Sequence, residues 1–292
     1  MTKQKRPARI LLRLLTVMLA ALMLASGAAI GASATSGVAF PADATPTRVF
    51  VDGEEILEGE CIILDSITYV PLRNFCNVFD DCRITWDGRT KTATVKTDDL
   101  LMTVRENAVY ITANGHSFYT VGRVRNLGGH LYVPIRPLAR AFAEELKWNA
   151  SLRRVELTSV GNTRAVKPAA YNADDLYWLS RIISAEAQGE PLEGQVAVGN
   201  VVLNRVRHRD YPNTIYGVIF DRKHGTQFSP VSYGTIYQKP TESAIRAAKI
   251  CLEGYTLSDS ILFFMNPRVA TNNWISKNRP YAFTIGNHDF YN

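Results

Sequence analysis

The chain has 292 residues, of which 46% are hydrophobic and 21% charged; this composition is typical of a globular protein and excludes a disordered one. The formal net charge of +6 suits a nucleic-acid binder, but five of the 33 basic residues lie in the first 13 positions, which hold no acidic residue. The other 28 basic residues are balanced by 27 acidic ones, so we predict no basic surface and no nucleic-acid partner.

Residues 1–34 are predicted to be a signal peptide. A basic stretch at residues 3–9 leads into an apolar run at residues 14–30, and the small residues Ala32, Ser33 and Ala34 follow, as they do at a signal peptidase site. An uncleaved membrane anchor is the alternative, because about 17 apolar residues are near the lower limit for crossing a bilayer. Either interpretation places the rest of the chain outside the cytoplasm.

An internal repeat occupies residues 47–158. Tyr-Val-Pro-Leu-Arg at residues 69–73 recurs as Tyr-Val-Pro-Ile-Arg at residues 132–136, Trp86 recurs as Trp148, and an Asp-Gly pair at residues 52–53 recurs as Asn-Gly at residues 114–115. Alternating residues before each Asp-Gly or Asn-Gly pair predict a hairpin. Each copy is then expected to continue with a short helix after the proline and a closing strand, at residues 92–96 and 154–157.

The duplicated pattern resembles the copper amine oxidase N-terminal-like domain, a strand-rich module of exported bacterial proteins. The name does not imply copper, because His116 and His130 are the only histidines here and have no accompanying ligands, so we interpret both as loop residues. A module without clustered titratable groups is typical of a binding or spacing domain. We expect it to associate with the wall or the membrane surface, and the sequence leaves the oligomeric state open.

The four cysteines fit an exported protein without proving disulfides. If one bridge forms, we expect it between Cys76 and Cys82, across the end of a short helix. Cys251 lies in an apolar helical run and is interpreted as a small core residue.

Beyond a linker at residues 159–173, which carries glycine and proline without periodicity, the apolar pattern changes to the helical period. The first helix is expected to be capped by Asp174 or Asp175 and to stop at Gly189. A second runs from about Pro191 to His208, and a third begins at residue 241 or 242 and ends before residue 254. We therefore predict an α+β protein, with a duplicated strand-rich N-terminal module over residues 47–158 and a mainly helical domain over residues 174–292.

Glu186 is the residue most suggestive of chemistry. Leu179 and Ile183 lie on the apolar stripe of the first helix, and the next step of three residues along that stripe reaches Glu186. Burial and the negative end of the helix both favour the protonated carboxyl, which would make Glu186 a proton donor near neutral pH. A surface glutamate on a frayed last turn is the alternative. Glu190 and Glu193 lie at the start of the next helix, where acids are stabilised, and are interpreted as structural.

Residues 183–191, Ile-Ser-Ala-Glu-Ala-Gln-Gly-Glu-Pro, and 193–206, Glu-Gly-Gln-Val-Ala-Val-Gly-Asn-Val-Val-Leu-Asn-Arg-Val, are similar to the opening of the SleB-type cell wall hydrolase family, which includes spore-cortex-lytic enzymes. Further similarity lies in Gln-Phe-Ser at residues 227–229, Phe-Met-Asn-Pro at residues 264–267 and Thr-Ile-Gly-Asn-His at residues 284–288. The resemblance implies a lysozyme-like catalytic domain over residues 174–292 that cuts the glycan strand of peptidoglycan or spore cortex, typically as a lytic transglycosylase. It places the catalytic glutamate on Glu186 and the protein in the cell wall or spore envelope.

This chemistry requires one carboxyl group and no cofactor or metal. If a hydrolase used two carboxylates instead, the candidates for the second are Asp210, Asp221 and Asp289. Residues in the loops that are of types that hydrogen-bond to sugars or stack on them are proposed to bind substrate: Gln227, Ser229, Tyr233, Asn266 and Trp274. For Trp274 and for Phe228 a core role is an equal alternative, and His288 is interpreted as structural or orienting.

Other functions have weaker support. A zinc amidase needs clustered ligands, which His208, His224 and His288 do not provide by their spacing. A cysteine peptidase needs a reactive thiol, and Cys251 lies inside a helix. A peptidoglycan-binding protein with an inactive lysozyme-like domain is the serious alternative, although the chain retains Glu186. The sequence leaves open whether the protein serves germination or vegetative wall turnover.

Overall fold

A computed structural model describes residues 38–292 apart from residues 80, 162, 163, 224 and 226, and residues 40–292 form one compact unit. The predicted signal peptide lies outside the described residues. Within the described part of the chain no helix has both the length and the apolar character needed to cross a membrane.

The N-terminal part consists of fourteen short strands and two short helices among its described residues. In the first half these are β1 (Thr45–Pro46), β2 (Arg48–Val51), β3 (Glu54–Ile56), β4 (Ile62–Leu64), β5 (Ile67–Pro71), α1 (Leu72–Cys76), β6 (Arg83–Asp87), β7 (Thr92–Lys96) and β8 (Leu101–Arg105). In the second half they are β9 (Tyr110–Ala113), β10 (His116–Tyr119), β11 (Arg125–Leu127), β12 (His130–Pro134), α2 (Ile135–Ala141), β13 (Glu144–Asn149) and β14 (Arg154–Ser159).

The two copies of the repeat interlock. The strands that carry the two Tyr-Val-Pro motifs, β5 and β12, pair antiparallel with Val70 opposite Val133 at the centre of the sheet β1-β4-β5-β12-β11. The hairpin of each copy joins the closing strands of the other copy, in the sheets β10-β9-β8-β7-β6 and β13-β14-β2-β3. Strand β14 lies parallel to β2. Neither copy therefore completes a sheet alone.

Both predicted hairpin turns are confirmed. Asp52 and Gly53 have φ of 50° and 86°, and Asn114 and Gly115 have φ of 48° and 87°. Two consecutive left-handed residues are the geometry of a type I′ turn, which asparagine or aspartate followed by glycine adopts at low cost.

One hydrophobic core lies beneath both copies. Val70 and Val133 are fully buried, and Phe79 of the first copy stacks on Phe142 of the second with ring centroids 4.4 Å apart. Because both copies contribute rings to the same core, the module is expected to fold as one cooperative unit.

All four cysteines are free thiols, so the Cys76–Cys82 bridge is not formed, although the two thiols are close enough to hydrogen-bond to each other. Cys251 is buried in the core of the second domain, as predicted. The interpretation of the two histidines as loop residues is wrong: His116 and His130 each begin a strand, β10 and β12.

The segment predicted as a linker is fixed to the module. The side chain of Asn114 donates to the backbone carbonyl of Val166 at 2.7 Å, the amide of Ala169 donates to the carbonyl of Asn114 at 2.9 Å, and Ala165 is 5% exposed. The described residues of this segment thus pack beside β9 and α2, where the amide of Val166 donates to the carbonyl of Ala141 at 2.9 Å.

The second domain has a helical core and a sheet at its end. Its helices are α3 (Ala173–Ala187), α4 (Leu192–Arg207), α5 (Ile215–Phe220), α6 (Ser229–Tyr233), α7 (Glu242–Leu252) and α8 (Trp274–Asn278), with a 3-10 turn at Thr235–Tyr237. The strands β15 (Phe263–Met265), β16 (Tyr281–Ile285) and β17 (His288–Tyr291) form a sheet in the order β15-β17-β16. The three long helices and the α+β class are as predicted, whereas this sheet was not.

Two details at the ends of α3 differ from the prediction. Asn172, and not Asp174 or Asp175, caps the helix, because its Oδ1 accepts from the amides of both aspartates at 2.9 and 3.0 Å. Gly189 follows the helix but does not adopt the left-handed conformation expected of a terminating glycine.

Helices α3, α4 and α7 meet closely at Gly199. A Cβ at this glycine would lie 2.6 Å from the Sγ of Cys251 and 2.9 Å from the Cδ1 of Ile183. Asn204, also on α4, donates to the carbonyls of Ser258 and Ile261 at 2.9 Å and so bridges a loop from inside the domain.

A buried carboxylate joins the module to the helical domain. Glu253, next to the end of α7, has a side chain only 10% exposed and contacts His116 at 2.5 Å and Arg140 at 2.8 Å, both from the module. It also accepts from the hydroxyl of Tyr171 at 2.6 Å. Beside it Tyr119 of the module stacks on Tyr255 at 4.1 Å.

Candidate active site

Glu186 lies in the last turn of α3 and continues the stripe of Leu179 and Ile183, which are fully buried. Its own side chain is half-buried and is densely surrounded by protein atoms. This burial raises the pKa of Glu186 to about 7, while the positive charge of Arg205 acts to lower it. A half-buried side chain does not fit the alternative of a surface glutamate on a frayed turn, and a carboxyl with this pKa can both donate and accept a proton near neutral pH.

Arg205 is the partner that the sequence analysis missed. It is 5% exposed on α4, and its Nε donates to the backbone carbonyl of Leu262 at 2.8 Å. Its guanidinium lies over three aromatic rings, those of Tyr211, Phe228 and Phe263, at 5.1, 5.2 and 5.4 Å from the centroids. Burial lowers the pKa of Arg205, but an arginine stays charged in a protein.

The signal that identifies Arg205 is present in the sequence. Val198, Val201 and Val202 mark the buried stripe of α4, and a step of three residues from Val202 reaches Arg205. The same helical periodicity that identified Glu186 on α3 thus identifies Arg205 on α4.

Gln227 is a predicted substrate-binding residue that contacts Arg205. Its Oε1 lies 3.5 Å from Nη1 of Arg205, and its Nε2 donates to the carbonyl of Gly225. Gln227 is therefore part of the site that contains Glu186.

Trp274 is connected to the site through Phe263. The guanidinium of Arg279 lies 4.4 Å from the ring centroid of Phe263 and 5.2 Å from that of Trp274, while Phe263 also lies beneath Arg205. Trp274 is 49% exposed and Phe228 is 2% exposed, so the core role applies to Phe228 alone. An exposed indole beside a charged site is suited to stacking on a sugar ring.

The other three predicted substrate residues lie in loops and a short helix. Ser229 and Tyr233 are the first and last residues of α6, which contacts α3, and Tyr233 is 80% exposed. Asn266 has a local role, because its Oδ1 accepts from the amide of Arg268 at 3.0 Å and so shapes the turn after β15.

Of the three carboxylates considered as a second acid, Asp221 shares the neighbour Arg205 with Glu186. Both charges act on Arg205, although the Oδ1 of Asp221 also accepts from the amide of Lys223 at 2.9 Å. Asp210 lies on the surface near His208, and Asp289 accepts from the hydroxyl of Thr284 at 2.5 Å.

Glu190 has a structural role. Its carboxylate accepts from the backbone amide and the side chain of Asn287 at 2.8 and 3.0 Å. Burial acts to raise the pKa of Glu190, but these hydrogen bonds outweigh it and hold the pKa below its usual value. His288, next to Asn287, is buried, and burial lowers its pKa; Nδ1 has no hydrogen-bond partner among the described residues.

No three His, Cys, Asp or Glu side chains in the described part of the chain are grouped as metal ligands. His224, one of the histidines weighed for a zinc site, lies outside that part. His208 contacts Asp210 at 3.8 Å on the surface, whereas His288 packs against Phe264.

Two family models match the chain. The model for cell wall hydrolases matches residues 189–291, and the model for the copper amine oxidase N-terminal domain matches residues 50–163. The first match begins three residues after Glu186 and therefore does not include it.

Among similar proteins are two named spore cortex-lytic enzyme. The one from Bacillus subtilis strain 168 is 38% identical over 42% of this chain and 39% of its own length, and one from Bacillus cereus is 38% identical over 42% of this chain and 46% of its own length. This chain thus spans less than half of each. The cell wall hydrolase CwlJ of Oceanobacillus iheyensis is 32% identical over 36% of this chain and 77% of its own length.

Two solved structures are also similar. The catalytic domain of the germination-specific lytic transglycosylase SleB from Bacillus anthracis is 38% identical, covers 43% of this chain and 99% of that domain, and has a TM-score of 0.39. The catalytic domain of the Bacillus cereus SleB protein is 38% identical, covers 43% of this chain and 94% of that domain, and has a TM-score of 0.38.

Proposed function

The chain belongs to the cell wall hydrolase family, and from that premise we propose that it cleaves the glycan strand of peptidoglycan, with Glu186 as the general acid and base. The observation that carries the assignment of Glu186 is its burial opposite Arg205, which places its pKa at about 7. A carboxyl with this pKa holds a proton that it can donate at neutral pH and accept again afterwards.

In the proposed reaction, protonated Glu186 donates its proton to the oxygen that bridges N-acetylmuramic acid and N-acetylglucosamine. The bond from that oxygen to the muramic anomeric carbon breaks, and positive charge develops on the muramic ring. The C6 hydroxyl of the same sugar attacks the anomeric carbon, and its proton passes to the Glu186 carboxylate. The products are a 1,6-anhydromuramic end and a free N-acetylglucosamine end, and the enzyme regains its proton.

Substrate positioning is proposed for five residues around this centre. Gln227 beside Arg205 and Trp274 beside Phe263 have the strongest geometric support. Ser229, Tyr233 and Asn266 extend the same proposal along α6 and the loop after β15. No metal and no cofactor takes part in the proposed reaction.

We further propose that the second domain is lysozyme-like and that the protein acts outside the cytoplasm, on the wall or the spore cortex. Relatives are named spore cortex-lytic enzyme and cell wall hydrolase, which supports this location. A peptidoglycan-binding protein without activity is the alternative, and the retention of a glutamate with raised pKa favours the enzyme.

The test is digestion of purified peptidoglycan and of spore cortex, with the fragments identified by mass spectrometry. We expect anhydromuramic ends from the wild type and a loss of about a hundredfold or more in rate for Glu186→Gln, with glycan binding retained. Glu193→Gln, which changes a carboxyl outside the site, is the matched control and should cut at nearly the wild-type rate. Fragments with reducing ends would show that the enzyme is a hydrolase and not a transglycosylase. If the wild type releases no fragments, the enzymatic proposal is contradicted.

A further inference from the structure

A cavity of about 350 Å³ lies on the N-terminal module. The first copy of the repeat contributes Arg73 from α1 and Trp86 from the edge strand β6, and the second copy contributes Gly129 from the turn between β11 and β12 and His130 from the start of β12. The site therefore exists only where the two copies interlock. We call it the Trp86 groove.

The groove presents an aromatic ring and two polar groups to solvent. Trp86 is 48% exposed, and the side chains of Arg73 and His130 form no hydrogen bond or ion pair with any described residue. Tryptophan and arginine, together with tyrosine, are the residue types most enriched among those that dominate binding at protein interfaces.

Two acids of the module form their contacts with residues other than Arg73. Asp87, next to Trp86, accepts from the amide of Arg89 and the hydroxyl of Thr90, each at 2.8 Å. Glu106, which contacts Asn126 at the rim, also pairs with Lys91 at 3.6 Å. Both carboxylates are held by the module itself, and Arg73 keeps its charge available to a ligand.

We propose that the Trp86 groove binds a peptidoglycan glycan strand, with the apolar face of a sugar ring on Trp86 and a carboxylate of the strand on Arg73. This inference rests on the proposed function, because it takes the same polymer as the ligand of a second site on the same chain. The peptide stems of peptidoglycan supply carboxylates, as do the lactyl groups of muramic residues that carry no stem, and an arginine fork pairs with a carboxylate through two hydrogen bonds. His130 is placed to hydrogen-bond to a sugar hydroxyl.

The repeat supplies an internal comparison. Trp148 and Arg136 occupy the same register in the second copy, and Trp148 is 45% exposed. The hairpin positions that match Asn126 and His130 are, however, Ile63 and Ile67. The second copy therefore has a tryptophan and an arginine but lacks the polar residues that border the Trp86 groove. This makes Trp148 a matched control for Trp86.

The experiment measures how tightly the full chain pellets with purified insoluble peptidoglycan, in a Glu186→Gln background so that no strand is cut. Trp86→Ala and Arg73→Gln should each weaken binding about tenfold or more, and Trp148→Ala less than twofold. Trp86→Phe, which keeps a ring, should retain most of the binding and so separates a lost contact from a lost fold. On chitin, which has no carboxylates, Arg73→Gln should have no effect.

Unchanged binding by Trp86→Ala, an equal loss in Trp148→Ala, or an equal effect of Arg73→Gln on chitin would overturn the inference. The outcome is separable from that of the proposed function. If the wild type cuts no glycan but its binding still depends on Trp86, only the enzymatic proposal is contradicted. If the wild type cuts glycan normally and Trp86→Ala binds as tightly as the wild type, only the proposal about the Trp86 groove is contradicted.

Discussion

The proton affinity of Glu186 results from two opposing effects. Burial among the apolar residues of α3 and α4 disfavours the charged carboxylate, and the buried guanidinium of Arg205 favours it. The net result, a pKa of about 7 against an ordinary value of 4.5, means that the folded protein binds this proton more tightly than the unfolded chain does. Folding stability contributed by the protonated form is thus fully present below pH 4.5 and is lost as the pH rises to about 7.

Replacing the carboxyl by a neutral amide should remove this loss. We expect Glu186→Gln to unfold at nearly the wild-type free energy at pH 4 and to be more stable than the wild type by up to ~3 kcal/mol at pH 8. Denaturant titrations at the two pH values measure the difference. If Glu186→Gln shows the same stability difference from the wild type at both pH values, the raised pKa is contradicted.

Removing the opposing cation should raise the pKa of Glu186 further. In Arg205→Met we expect the alkaline limb of the rate of glycan cutting to move to higher pH, because the general acid keeps its proton longer. Arg205→Lys retains the charge and should leave the limb where it is. An NMR titration of the Glu186 carboxyl checks the shift directly, and a rate that falls equally at all pH values would indicate only a damaged fold.

Of the charged pair at the centre of the candidate site, the sequence analysis named Glu186 but not Arg205. Glu186 interrupts an apolar stripe at the end of a helix, which makes it conspicuous. Arg205 lies on the equivalent stripe of α4, but basic residues in the last turn of a helix are also explained by the helix dipole, so its burial was not predicted. The positions of Gln227 and Trp274 depend on loops whose course has no periodic signal.

Among the secondary structure elements, the packing of α3, α4 and α7 depends on the absence of a side chain at Gly199. Gly199→Ala should cost about 1–3 kcal/mol of unfolding free energy, because the new Cβ would approach Sγ of Cys251 and Cδ1 of Ile183 and force the helices apart. Gly189→Ala is the control, since no atom lies within 4 Å of a Cβ there and its φ is not positive. Equal stability of the two variants in thermal unfolding would show that the helices move apart without cost.

Elements with strong local signals were predicted well. The type I′ turns at Asp52 and Asn114 and the three long helices follow from residues that are neighbours in the sequence. The sheet of β15, β16 and β17 was missed because β15 pairs with β17 across more than twenty residues, and its three-residue strand is too short to show alternation. The same limit applies to the interlocking of the repeat, which no local pattern encodes.

At the scale of the whole molecule, Glu253 is one of the contacts that join the module to the helical domain. Glu253→Ala would leave His116, Arg140 and Tyr171 without their shared acceptor at a buried interface. We expect a loss of about 3 kcal/mol and a calorimetric transition that separates into two, one for each core. Glu145→Ala, in an exposed pair with Lys147, should change stability by less than about 0.5 kcal/mol. A single unshifted transition in Glu253→Ala would show that the junction does not depend on this carboxylate.

The exchange of hairpins between the two copies bears on how the module arose. In a single copy, the closing strands would have an unpaired edge and the hairpin would have no sheet to join. An ancestor of half the length could therefore complete its sheets only by associating with a second identical chain. Gene duplication and fusion would then have joined the two subunits of that dimer into one polypeptide. In such a dimer the antiparallel contact between Val70 and Val133 would lie at the subunit interface.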